Sequence, residues 1–66
     1  MVKVNGKSVE AAGVTIAEYL VRENFDARTV AVEVNEEIVP KSDFDAVILR
    51  DDDVVEIISF MGGGEG

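Results

Sequence analysis

The segment Val54-Val55-Glu56-Ile57-Ile58-Ser59-Phe60-Met61 constrains this chain more than any other. β-Branched and aromatic residues at that density suit a buried or half-buried strand, and Gly62-Gly63-Gly64 ends it abruptly. Everything before the strand reads as scaffold, and the residues after it leave the body as a tail. Glycine lacks a Cβ, so such a tail can lie extended in a channel too narrow for any side chain. The five residues beyond Met61 reach at most about 17 Å.

The scaffold is legible in short pieces. Met1–Val4 and Lys7–Glu10 alternate apolar and polar residues on either side of Asn5-Gly6, which predicts a β-hairpin closed by a type I′ turn. Ala11-Ala12-Gly13 is a short connection. Thr15 and Glu18 have the spacing of a capping box, so a helix starts there, with Val14 and Tyr19 at the positions of a hydrophobic staple. Ile16, Ala17, Leu20 and Val21 are expected to form its apolar face, with Glu18, Arg22 and Glu23 toward water. The helix should end near Asn24, which tolerates the left-handed region, with Phe25 tucked beneath it. Val30, Val32 and Val34 give the next strand one buried face, Asn35-Glu36 turns it, and Glu37-Ile38-Val39 returns as an edge strand stopped by Pro40. Lys41–Phe44 suggests a single helical turn with Phe44 pointing inward. Ala46–Leu49 is apolar but too short to classify beyond strand or extended.

The expected order of hairpin, helix, strand, edge strand, irregular segment and final strand gives a two-layer α+β domain over residues 1–61 with a glycine-rich tail over 62–66. The first and last strands are expected to pair in parallel at the centre.

Composition narrows the chemistry. Sixty-six residues form one small domain, and with no Cys and no His the chain cannot make a disulfide, a thiolate or imidazole zinc site, a Cys nucleophile or a Ser-His pair. Ser8, Ser42 and Ser59 thus have no obvious base. Asp51-Asp52-Asp53 lacks the spaced oxygens, turn glycine and distal Glu of a calcium loop, so a solvated turn is expected and no metal site. The net charge of −8 repels nucleic acids and anionic lipids and favours a basic protein partner. No charged-then-apolar leader or long apolar run is present, so a cytoplasmic protein is the default expectation.

Together, Val30-Ala31-Val32-Glu33-Val34-Asn35, Ile38-Val39-Pro40, and Asp53 leading through Val55-Glu56-Ile57 to Phe60-Met61-Gly62-Gly63-Gly64 resemble the ThiS family of thiamine-biosynthesis sulfur carriers. The resemblance covers nearly the whole chain. It implies a β-grasp, ubiquitin-like fold, with a mixed four- to five-stranded sheet on one main helix. It also implies a protein that is a substrate and not an enzyme: a ThiF-type enzyme uses ATP to adenylate the C-terminal glycine carboxylate, which becomes a thiocarboxylate and gives its sulfur to a ThiG-type thiazole synthase. No cofactor is expected to be bound by the carrier, which is expected to be a monomer alone.

The chain departs from the family pattern at three places. Glu36 and Asp52 stand where relatives often have glycine, and Glu65-Gly66 follow Gly64. The acceptor carboxylate is therefore expected on Gly64 after processing, and otherwise on Gly66, unless the last pair is a remnant of cloning. Alternation along the last strand puts Val55, Ile57 and Ser59 on the face expected to meet the helix, and Val54, Glu56, Ile58 and Phe60 on the other. Ile58, Phe60 and Met61 are the expected partner-binding residues beside the tail. Two alternatives remain: a carrier like the small subunit of molybdopterin synthase, and a ubiquitin-like interaction module whose glycine tail is only a linker.

Overall fold

The computed structural model describes residues 1–60, and Met61–Gly66 lie outside them. Asn5 and Gly6 have φ of 50° and 86°, the two positive values a type I′ turn requires, and they join β1 (Val2–Val4) to β2 (Lys7–Val9). Asn35 and Glu36, at 52° and 72°, repeat the device between β3 (Val30–Val34) and β4 (Glu37–Val39). The last strand, β5 (Val54–Ser59), inserts between the hairpins. The sheet order is β2-β1-β5-β3-β4, with β5 parallel to β1 and antiparallel to β3. The expected central parallel pair is present, and β4, followed directly by Pro40, lies at an edge. This is the β-grasp arrangement, five strands on one helix.

The helix α1 (Ile16–Arg22) begins as its sequence dictates. The Glu18 amide donates to the Thr15 hydroxyl at 3.1 Å and the Thr15 amide donates to the Glu18 carboxylate at 2.9 Å. The remaining first-turn amides are also satisfied, Ile16 N–H by the Val47 carbonyl and Ala17 N–H by that of Phe44. At the far end Asn24 has φ 64°. Its amide donates to Val21 O while that of Phe25 donates to Leu20 O, which is a Schellman closure. Seven residues are too few for a stable helix in isolation, so packing holds α1 in place. Ile16, Tyr19 and Leu20 are buried with Val2, Val4, Val30, Val32, Val55 and Ile57 of the sheet, and Phe44 and Leu49 join the same core. Fully burying a Leu or Ile side chain contributes about 1.5–3 kcal/mol.

Two expectations are corrected. Val21 is 76% exposed, and Tyr19 takes the place expected for it in the core. At about 100° per residue Val21 lies some 140° round the helix from Ile16, whereas Tyr19 and Leu20 flank Ile16 on either side. The aromatic ring, not the second valine, sets the buried stripe. Ser59 is exposed although its alternation matches Val55 and Ile57; β5 has by then run past the end of β1. Of the Ala46–Leu49 segment, Ala46 closes the turn after Phe44 and the rest is extended chain and not a strand. A single antiparallel bridge joins Ile48 to Thr15, while Gly13 N–H and Leu49 N–H donate to Leu49 O and Val14 O, so the segment straps down the entry to α1. The single turn at Lys41–Asp43 and the inward Phe44 are as expected, and Asp26 caps a further 3₁₀ turn at Ala27–Thr29.

Candidate functional site

β5 is gripped from both sides, and two turn asparagines complete the grip. β1 ends at Val4, so beyond Val55 the flank of β5 facing β1 loses its backbone partner. The Asn5 side chain replaces it: Ile57 N–H donates to Asn5 Oδ1 at 2.8 Å and Asn5 Nδ2 donates to Ile57 O at 3.3 Å. At the strand's start, Val54 N–H donates to Asn35 Oδ1 at 3.0 Å and Asn35 Nδ2 donates to Asp53 at 2.9 Å. Residues that supply left-handed turn geometry thus also pin the register of the strand that carries the tail. On the other flank, Phe60 N–H donates to Thr29 O at 2.8 Å. Phe60, the last described residue, therefore lies beside the Ala27–Thr29 turn, at the end of the sheet that also carries the Asn5-Gly6 turn.

Alternation divides β5 as expected for Val55 and Ile57, which are buried, and for Val54, Glu56, Ile58 and Phe60, which face away from the helix. Ile58 is 43% and Phe60 69% exposed, so the structure brings together these two predicted partner-binding residues next to the root of the tail. The third, Met61, and the predicted terminus residues Gly62, Gly63, Gly64 and Gly66 lie outside the described residues. The open face also holds residues not singled out from the sequence. Ile38 on β4 is 71% exposed, and it is level with Glu33 of β3, which in turn is level with Glu56. Period-two alternation in each strand carried that signal, but only the pairing across β3, β4 and β5 places the three in one row.

The acids near the turns have structural partners. Asp51 accepts from the Met1 ammonium, and Asp53 accepts from Arg50 N–H at 2.9 Å as well as from Asn35. Asp52 has φ 74°. Among the described residues no group of three His, Cys, Asp or Glu is arranged to hold a metal ion, and no helix is long and apolar enough to cross a membrane. Beside the exit of β5, Arg28 holds Asp26 in a fork, Nε to Oδ1 and Nη2 to Oδ2 both at 3.1 Å, and these bonds hold the Asp26 carboxyl below the usual range. Burial pushes the Tyr19 hydroxyl up, and the Arg22 guanidinium lies 5.0 Å over its ring.

The chain matches known proteins over nearly its full length. The model of the ThiS family matches residues 2–64. The chain belongs to the ThiS family. It is 40% identical to the sulfur carrier protein ThiS of Bacillus subtilis, over 97% of this chain and 100% of that protein. The crystal structure of the thiamine biosynthesis protein ThiS from Geobacter metallireducens superposes with a TM-score of 0.77 at 39% identity, covering 96% of this chain and 97% of that one. A thiazole synthase of Paramagnetospirillum magneticum is 44% identical over 92% of this chain, which spans only 19% of that protein's length.

Proposed function

We propose that the chain is a sulfur carrier of thiamine biosynthesis, in which the body presents a C-terminal carboxylate to other catalysts. A carboxylate is a poor electrophile because its departing oxygen is a poor leaving group. In the proposed cycle a ThiF-type enzyme, holding ATP, lets the terminal carboxylate oxygen attack the α-phosphorus with loss of pyrophosphate. A sulfur nucleophile then takes the acyl carbon with loss of AMP and leaves a thiocarboxylate, which a ThiG-type thiazole synthase consumes. Nothing in this cycle asks the carrier for a nucleophile or base, which agrees with a chain without Cys or His. The observation that carries the reading is β5: the central strand of the sheet, pinned by Asn5 and Asn35, ends beside exposed Ile58 and Phe60, and in the sequence Gly62-Gly63-Gly64 follow directly. Similarity to a thiazole synthase favours this pathway over that of molybdopterin.

The test is mass measurement after incubation with a ThiF-type enzyme, ATP and a sulfur source, using both the full chain and one ending at Gly64. Replacement of one terminal oxygen by sulfur is expected in at least one of them. No mass change in either would leave a plain interaction module. The form that reacts identifies the acceptor, Gly64 or Gly66.

A further inference from the structure

The face of the sheet turned away from α1 has an acid pair at its middle. Glu33 and Glu56 are direct partners in the antiparallel β3–β5 ladder. The bonds Asn35 N–H to Val54 O and Phe60 N–H to Thr29 O fix the phase of that ladder, so Glu33 and Glu56 are a hydrogen-bonded pair with Cα atoms about 5.5 Å apart. Alternation points both side chains to the open face. Around them stand Val54 and Ile58, two residues either way along β5, and Ile38, level with Glu33 on β4; all three are exposed. Neither carboxylate forms an ion pair with a described residue, and the nearest cation by register, Lys3, is level with Val54 and forms none either. Like charges directly opposite across a strand pair work against folding. Apolar neighbours make the arrangement worse for a surface left in water.

We propose that Glu33 and Glu56 together seat an arginine of the enzyme that adenylates the terminal carboxylate, with Ile38, Val54 and Ile58 receiving apolar side chains around it. The inference rests on the carrier reading and adds to it the chemistry of the docking surface. A guanidinium fits this seat better than an ammonium does. Its planar fork has five N–H donors, enough to serve two carboxylates at once, and its weak hydration suits an apolar rim, whereas a lysine is a compact, strongly hydrated charge. Bringing the arginine between the two acids also removes their mutual repulsion, so the interaction is stronger than a pairing with either acid alone. A nucleic acid or anionic lipid would be repelled by the same pair.

Full-length chain is titrated with the adenylating enzyme and ATP at fixed ionic strength, comparing the wild type with Glu33→Gln/Glu56→Gln. KM and the dissociation constant are expected to rise at least about tenfold with kcat unchanged, since losing one partner of a desolvated charge pair acts mainly on complex lifetime. The urea midpoint should stay level or rise. Glu56→Lys, which fills the seat from within by pairing with Glu33, should weaken binding similarly while remaining folded. Glu23→Gln/Asp45→Asn removes two charges away from this face and should change KM less than about twofold. A wild-type KM in Glu33→Gln/Glu56→Gln, or an equal loss in the Glu23→Gln/Asp45→Asn variant, overturns the seat while wild-type adenylation keeps the carrier reading intact. If the wild type is not adenylated in either length, the carrier reading fails and takes the seat with it.

Discussion

Glu36 occupies the second position of a type I′ turn at φ 72°, where a side chain costs roughly 1–2 kcal/mol relative to an unstrained backbone. Glycine recovers that strain but gives back some unfolded-chain entropy, so Glu36→Gly should raise stability by about 0.5–1 kcal/mol, read from the urea midpoint. Asn5 is the opposite case, because its side chain makes two bonds to Ile57 that glycine cannot make. Asn5→Ala should lower stability by about 1–2 kcal/mol and speed amide exchange at Ile57. Asp26 sets an acid-side dependence: its folded carboxyl titrates below the unfolded value, so its contribution is present above about pH 4 and lost as pH falls through the folded value. Asp26→Asn should flatten the decline of the urea midpoint below that pH, and the effect is small because the Asp26–Arg28 pair is exposed.

Among the elements, α1 shows how a short amphipathic helix is positioned by its surroundings. Its start and stop follow from local chemistry, the Thr15–Glu18 box and the Asn24 closure. Its rotation does not, because Ile16, Ala17, Leu20 and Val21 offer as plausible an apolar stripe as Ile16, Tyr19 and Leu20. The sheet and the Ala46–Leu49 strap choose the second, whose tyrosine ring fills the core while its hydroxyl edge stays near Arg22. Leu20→Ala should therefore cost about 2–5 kcal/mol in a denaturation experiment. Val21→Ser should change stability by no more than about 0.5 kcal/mol, a contrast that the sequence pattern alone would not give.

At the scale of the whole molecule, a cluster of acids and the exit of β5 lie at opposite ends of the sheet. Glu10, Glu36 and Asp51–Asp53 gather where β5 begins, while Lys7 and Arg28 flank the end at which it leaves. Such a distribution orients the approach of a charged partner. The body and the tail carry separate duties in the proposed cycle, so a change in one should spare the other. Gly63→Val should abolish adenylation, because a branched side chain blocks a narrow channel, while leaving the urea midpoint unchanged. Normal adenylation of that variant would count against threading of the tail.

The sequence by itself determined the turns, the helix cap, the strand faces short of Ser59 and the chemistry excluded, because each depends on neighbours within a few residues or on composition. Asn5-Gly6, Thr15 with Glu18, Pro40 and the alternation of β5 carry the same meaning in any fold. Tertiary structure decided what depends on partners far along the chain: which side of α1 is buried, that Ala46–Leu49 is a strap and not a strand, and that Asn5 and Asn35 bind β5. It also brought Glu33 and Ile38 level with Glu56. Alternation says which face a residue shares, but only the pairing register says which residue stands opposite.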